Sequence, residues 1–320
     1  MNRKNSALVI TETGKNIGIG HQMRCQAIAQ ALDEIGIKTE WMIGGSGQIN
    51  EDTYFETIAK HRVVIFDTYL IDPKIYSRLT KFSEKIYVHI DDNARQNYLS
   101  GIVVNGTIGA EKIFKTQYKG VTYLLGTKYI PIRKSFWDVL PKAYKKNIEN
   151  VLITFGGDDI RRLTSRIVRW IVAENKEIKT INIVVGKYFK KIEYSRRWIS
   201  DQKIKLWYNV DEYKMKNLME AADIAVSAGG QTLYELARTG TPTIAIKVAD
   251  NQNNNIVGWR NADYIEYAGM WDSKKLKINL LSGLNKLRDP DFRRVKGTMG
   301  RNRVDGQGAR RIAEIIMRFQ

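Results

Sequence analysis

Residues 221–247, AADIAVSAGGQTLYELARTGTPTIAIK, limit the fold more than any other stretch. A short apolar run at 223–227 reads as a buried strand, stops at Gly229 and Gly230, and gives way to an amphipathic segment at 232–238. Gly240 and Pro242 end that helix, and 243–247 reads as the next strand. The product is a βαβ unit, which needs a parallel sheet. Without side chains at the glycine pair, the backbone N–H groups opening the helix can approach an anion, and the helix dipole favours negative charge there. A phosphate suits such a turn, and Glu235, early in the helix, can accept hydrogen bonds from a neighbouring ribose. The same residues also satisfy a plain tight turn with Glu235 as a solvated helix residue; the stretch alone does not choose.

The N-terminal half repeats the pattern. Residues 6–13 read as a strand, and Gly14, Gly18 and Gly20 punctuate the turn before a helix whose apolar positions are Met23, Ala27, Ala31 and Ile35. Gly36 ends it ahead of a strand at 38–43. The turn is not a Walker A loop, because no Gly-Lys-Ser or Gly-Lys-Thr stands at the required place, and Met23 occupies the position of the third glycine of a dinucleotide fingerprint. What remains is Gly18-x-Gly20-His21-x-x-Arg24, a titratable histidine and an arginine opening a helix. In open α/β sheets ligands bind at the carboxyl ends of strands, where this turn lies. His21 and Arg24 also fit a role limited to capping or solvating that helix.

Further strands are expected at 63–67, 85–90, 103–106 and 122–126, the first two running into Asp67-Thr68-Tyr69 and Asp91-Asp92. With a helix expected at 73–82, the alternation gives a parallel, doubly wound sheet over roughly the first 135 residues. Each of these carboxylates can equally be a helix cap or a loop residue. Residues 131–147, with Pro131, Pro141 and several lysines, read as a linker. The pattern then restarts. A strand at 150–155 meets Gly156, Gly157, Asp158 and Asp159 before a helix at 163–173, and strands follow at 182–185, ending at Gly186, and at 204–208. A polar run, Asn251, Gln252 and their asparagine neighbours, follows 243–247, and amides of this kind can read sugar hydroxyls or form a solvated loop. Helices are expected at 255–261, 276–287 and 306–319.

The chain of 320 residues carries 43% apolar residues, enough for two packed domains. The single cysteine, Cys25, excludes an internal disulfide framework, and three histidines without a His-x-x-x-His pair argue against zinc. No apolar run reaches the ~18 residues that span a bilayer, so the expectation is a soluble, cytoplasmic protein. A net charge of +18 favours anionic partners without choosing among nucleotides, nucleic acids and a membrane surface. The basic clusters at 142–146, 187–191 and 293–303 read as solvated faces, and no nucleic-acid-binding module accompanies them.

Two α/β domains opened by Gly18-x-Gly20-His21-x-x-Arg24 and carrying Ser227-Ala228-Gly229-Gly230-x-Thr232-x-x-Glu235 resemble the MurG-type glycosyltransferases of the GT-B fold. A narrower resemblance rests on Asp67-x-Tyr69, Asp91-Asp92, Asn105, Tyr129-x-x-Ile132-Arg133-x-x-Phe136, Phe155-Gly156-Gly157-x-Asp159 and Asn251-Gln252, which fall in the order seen in the UDP-sugar hydrolases of pseudaminic acid biosynthesis and their spore-coat relatives. The resemblance implies two Rossmann-like doubly wound domains facing across a cleft. These are residues 1–140 with the catalytic histidine and 148–305 with the nucleotide, followed by a helix at 306–320 that packs back on the first domain. It implies removal of UDP from a 2,4-diacetamido-2,4,6-trideoxy sugar by attack of water at the anomeric carbon, with no metal and no cofactor.

Carried over residue by residue, the resemblance makes His21 the general base, a role an imidazole suits because its unperturbed pKa of ~6.5 leaves much of it neutral at physiological pH. Gly20, Arg24, Asp67, Tyr69, Asn105, Asn251 and Gln252 are then expected on the sugar and water side. Gly156, Gly157, Gly186, Val210, Ala228, Gly229, Gly230, Thr232 and Glu235 are expected to hold the nucleotide. The partner implied is a UDP-sugar, not nucleic acid. Thr68 stands where the family has histidine, and Asp158 where it has serine or threonine; both changes bear on the sugar and on whether the acceptor is water. Two other readings fit the composition: sugar transfer to an acceptor, and a basic scaffold that keeps the fold without turnover.

Overall fold

The structure is a computed structural model that describes residues 6–13, 20–44, 51–68, 78–79, 84–159, 161–186, 189 and 202–319. Tyr69, the glycine turn expected at 14–18, residues 45–50, most of the helix expected at 73–82 and most of the basic cluster at 187–191 lie outside the described residues. The chain divides into two compact units, one of residues 1–137 and 306–320 and the other of residues 138–305.

The first unit is built on six parallel strands, β1 (Ser6–Glu12), β2 (Lys38–Gly44), β3 (Val63–Asp67), β4 (Ile86–Ile90), β5 (Gly101–Asn105) and β6 (Val121–Leu125), in the order β2-β1-β3-β4-β5-β6. The strand β3, VVIFD, and the strand β4, IYVHI, are buried at every position, as a parallel sheet covered on both faces requires. The edge strand β2 is exposed or half-buried throughout. Helix α1 (Gly20–Glu34) buries Cys25, Ala27, Ile28, Ala31 and Leu32. The sequence expectation placed Ile35 on that face, but the helix has ended by then and Ile35 is exposed. Helix α2 (Glu51–Ala59) contributes Tyr54 and Ile58 to a core with Leu8, Ile10, Val64 and Phe66.

In the second unit the strands β7 (Asn150–Thr154), β8 (Thr180–Val185), β9 (Ile204–Tyr208), β10 (Ile224–Ala228), β11 (Thr243–Lys247) and β12 (Ile265–Met270) are also all parallel, in the order β12-β11-β10-β7-β8-β9. Helices α3 (Leu163–Glu174), α4 (Glu212–Ala221), α5 (Thr232–Thr239), α6 (Asn253–Asn261), α7 (Leu276–Lys286) and α8 (Pro290–Arg303) complete it. A final helix, α9 (Gly308–Arg318), belongs to the first unit, where Arg310 pairs with Glu34 at 2.8 Å and Ile312 and Ile316 are buried.

Two expectations about charge are corrected here. The basic run at 293–303 is a solvated face only in part: Arg294 and Arg303 are exposed, but Arg293 is 1% and Lys296 3% exposed. The Arg293 guanidinium donates to the carbonyls of Leu287, Arg288, Lys145 and Lys146, and Lys296 pairs with Asp263 and Glu266. Buried cations need such partners, since an unpaired one costs several kcal/mol. Likewise 138–147, which composition marks as linker, is part of the second unit. Lys142 donates to the carbonyls of Met219 and Glu220, Tyr144 to that of Gly240, and Arg301 to those of Val139 and Leu140.

Candidate active site

In each sheet the chain reverses its winding once, and a parallel sheet offers its ligand crevice at the strand ends beside that point. In the first unit the reversal falls between β1 and β3, whose ladder runs as far as Thr11 opposite Asp67. Asp67 closes β3 and is fully buried. His21, in the first turn of α1, brings Nδ1 to 2.6 Å from Asp67 Oδ1. One turn on, Arg24 sends Nε to Oδ2 of Asp67 at 2.5 Å and Nη2 to Oδ1 at 2.6 Å, while its Nη1 donates to Asp92 beyond β4. Cys25 adds a thiol donor 3.5 Å from Asp67 Oδ2, and burial pushes that thiol up.

The charges in this cluster decide its protonation. Burial works against ionisation of Asp67, but Arg24 and then His21 outweigh it and hold the carboxyl down at about 2. Burial also works against the Arg24 charge, and Asp67 and Asp92 outweigh it in turn, so the guanidinium is pushed up. An ionised Asp67 is acceptor-only, so the proton of the 2.6 Å contact sits on Nδ1 of His21. The 3.3 Å approach of Arg24 Nη2 to the same nitrogen is then a contact between two donors. With Nδ1 protonated, the basic lone pair of the neutral ring lies on Nε2. These side chains are therefore neither helix caps nor solvated residues.

The remaining residues expected on the sugar side are dispersed. Asn105 ends β5, two strands from β3 and so roughly 10 Å across the sheet. Its Oδ1 accepts from Thr107 N at 2.8 Å, and among the described residues its buried Nδ2 has no hydrogen-bond partner. Asp91 is a loop organiser, accepting from Asn93 N, Arg95 N and the Tyr98 hydroxyl. Asn251 and Gln252 belong to the second unit. Asn251 is exposed, and Gln252 Oε1 is taken by the amides of Gly229 at 3.2 Å and Val248 at 3.0 Å, which ties the loop after β11 to the turn after β10.

The second unit reverses between β7 and β10, and there the strand ends are glycine. Gly156 has φ +83, a conformation that favours glycine. A Cβ on Gly186, after β8, would lie 2.5 Å from the carbonyl oxygen of Gly157, so the two turns touch backbone to backbone. At Gly229 a Cβ would meet Ile256 at 2.8 Å. Gly229 N also lies 3.2 Å from Ile246 O, so this amide is engaged within the unit and is not the anion donor that the glycine pair suggested. Helix α5 opens without a side-chain cap, behind a turn bond from Leu233 N to Gly230 O. The amides of Gly230 and Thr232 precede that bond. Ala228 is buried at the end of β10, Thr232 and Val210 are half-buried, and Glu235 is 5% exposed, so it is not a solvated helix residue.

Two further carboxylates take part. Asp92, noted in the sequence only as a strand-end carboxylate of the resembling motif, binds Arg24. Glu12, the last residue of β1, was passed over inside the strand; it is 1% exposed and accepts from the Thr68 hydroxyl at 2.6 Å. The signal that drew attention to Asp67, a carboxylate at the carboxyl end of a strand, applies equally to Glu12. Asp159 acts elsewhere, its two oxygens accepting from Leu163 N and Thr164 N and so capping α3. Among the described residues no three His, Cys, Asp or Glu side chains converge to hold a metal, and no helix is long and apolar enough to cross a membrane.

Two six-stranded Rossmann-like units of this kind define the GT-B fold. Residues 150–291 match the model of the Glycosyltransferase family 28 C-terminal domain. The fold is similar to that of the MurG of Acinetobacter baumannii, with a TM-score of 0.68 and 13% identity, covering 98% of this chain and 99% of that one. In sequence the chain is 26% identical over 238 residues to the pseudaminic acid cytidylyltransferase and UDP-2,4-diacetamido-2,4,6-trideoxy-beta-L-altropyranose hydrolase of Helicobacter pylori, covering 73% of this chain and 43% of that protein. The chain thus spans less than half the length of that relative. It is 23% identical over 268 residues to the spore coat polysaccharide biosynthesis protein SpsG of Bacillus subtilis, covering 76% and 78% of the two chains.

Proposed function

We propose that the protein is a nucleotide-sugar hydrolase that releases UDP from a UDP-activated sugar of the 2,4-diacetamido-2,4,6-trideoxy type, a cytoplasmic step in nonulosonic acid or surface polysaccharide synthesis. The observation that carries this reading is the His21–Asp67 pair, clamped by Arg24 beside the switch point of the first sheet. A carboxylate on Nδ1 fixes the tautomer whose Nε2 accepts a proton, as a general base requires. In the reaction Nε2 takes a proton from water and the water oxygen bonds to the anomeric carbon. The bond from that carbon to the β-phosphate oxygen breaks with its electron pair leaving on UDP, and the configuration inverts. The opening of α5 at Gly230 and Thr232 stabilises the charge growing on the diphosphate. Glu235 takes the ribose, and backbone near Gly186 and Val210 takes the uracil. The Helicobacter pylori relative, whose name includes such a hydrolase, supports the choice of sugar.

A second reading, sugar transfer from UDP to an acceptor, is favoured by the match of residues 150–291 to a glycosyltransferase domain. The chemistry differs only in whose hydroxyl His21 deprotonates. Incubation with a panel of UDP-sugars, with and without acceptors, separates the two. UDP released without acceptor supports hydrolysis, and UDP released only with acceptor supports transfer. Tight UDP binding with no release under either condition would overturn both.

A further inference from the structure

The backbone ladder between β1 and β3 stops at Thr11 opposite Asp67. One residue further on, the two strands are joined again, this time by side chains, the Thr68 hydroxyl donating to Glu12 at 2.6 Å. Both are buried, Thr68 at 5% and Glu12 at 1% exposure. On its other side the same residue is held through its backbone, because Thr68 O accepts from Arg95 Nη1 at 3.1 Å and Arg95 is itself bound to Asp91 at the end of β4. The residue that follows Asp67 is thus held from two sides at once. Tyr54 lies close by: burial and then the Glu12 charge push its phenol up. A strand end normally frays where its ladder stops, and a carboxylate there would swing with it. Asp67 sits on that last rung.

We infer that Glu12 is a positioning residue for the base: through Thr68 it holds the strand end that carries Asp67, and through Asp67 it sets the tautomer and orientation of His21. The inference deepens the reading of His21 as general base and rests on it. A buried hydrogen bond to a carboxylate is among the stronger ones, and a base displaced by a fraction of an ångström loses rate rather than affinity.

The test uses the fact that the chain has three histidines, so that 15N-histidine labelling yields a spectrum that His21→Ala assigns directly. Thr68→Val, near-isosteric but without the hydroxyl, is expected to change the Nδ1–H tautomer signature of His21. It is also expected to lower kcat for UDP release roughly tenfold while KM and UDP affinity stay within about twofold. Thr68→Ser should restore both spectrum and rate. Glu12→Gln keeps an acceptor oxygen and should cost no more than Thr68→Val. An unchanged His21 spectrum in Thr68→Val overturns the inference whatever the rate. A Glu12→Gln enzyme that loses far more activity than Thr68→Val with an unperturbed His21 spectrum also overturns it, by placing Glu12 in the chemistry itself. If the unmodified protein releases no UDP, the functional reading falls and the spectrum alone decides the coupling.

Discussion

Along the carboxyl edge of the first sheet the central strands end in charged side chains, Glu12 on β1 and Asp67 on β3, tied to partners from other elements, and Asp91 just after β4, tied to its own loop. Along the same edge of the second sheet they run into glycines, Gly156 and Gly157, Gly186, and Gly229 and Gly230, packed so closely that a Cβ at two of these turns would clash. The topologies are near copies, and the chemistry at the edge is divided. A side-chain edge can fix protonation states, as Arg24 and His21 do for Asp67. A backbone edge can let a bulky anion come close, which proton chemistry does not need. On the proposed reading, one fold used twice separates reacting from holding by which atoms end its strands.

Substitutions that cross this division test it. The largest effect is expected from His21→Ala, which should lower kcat for UDP release by about 10²- to 10⁴-fold with UDP affinity unchanged, read by coupled UDP detection and calorimetry. Retained turnover would remove His21 from the chemistry. Asp67→Asn comes next. It leaves Arg24 buried with only Asp92 as carboxylate, and about 3 kcal/mol of stability should be lost in denaturant melts of the whole chain. In the backbone edge, Gly186→Ala forces the turn away from Gly157 O and should weaken UDP binding roughly tenfold at a stability cost of about 1–3 kcal/mol. An alanine there that leaves UDP affinity unchanged would show that this edge does not hold the nucleotide.

A further test concerns acid. Burial pushes His89, stacked between Phe66 and Tyr98, down from its ordinary value to about 3, so the native state keeps it neutral. Its contribution to stability is complete above the unfolded value near 6.5 and declines as pH falls from there toward 3, by at most about 1.4 kcal/mol per pH unit. Asp67, held at about 2, adds a loss that begins only below the unfolded carboxylate value near 3.9. His89→Phe should flatten the upper part of the acid profile and leave the lower part, a separation that equilibrium unfolding at pH 6, 5 and 4 resolves.

How far the sequence disclosed this molecule depended on whether apolar spacing or polar partnership built the element. The unit β10-α5-β11 was legible because apolar strands, a glycine pair and a Gly-x-Pro stop coincide within 27 residues. Helix α8 was not, because it buries Arg293, Lys296, Gly297 and Gly300, residues that periodicity counts as polar or as breakers. Strand β12, IEYAGM, hides behind Glu266 and Gly269 for the same reason. At the site, His21, Arg24 and Asp67 were each visible as candidates, but their meeting depends on Asp67 and α1 lying beside one switch point, a fact of strand order. Glu12 was lost because a carboxylate inside a strand pattern looks like an exposed alternate position until its burial is known.

The stitching of 138–147 changes how the molecule looks to a protease. Lys142, Lys145 and Lys146 make the segment look like an open trypsin site, yet cleavage needs several residues to enter the enzyme in extended form. Here those residues must first release Arg293 and Arg301 from their carbonyls and Lys142 from Met219 and Glu220. Nicking there reports opening of the second unit, and its rate is set by that unit's stability rather than by the number of lysines on view.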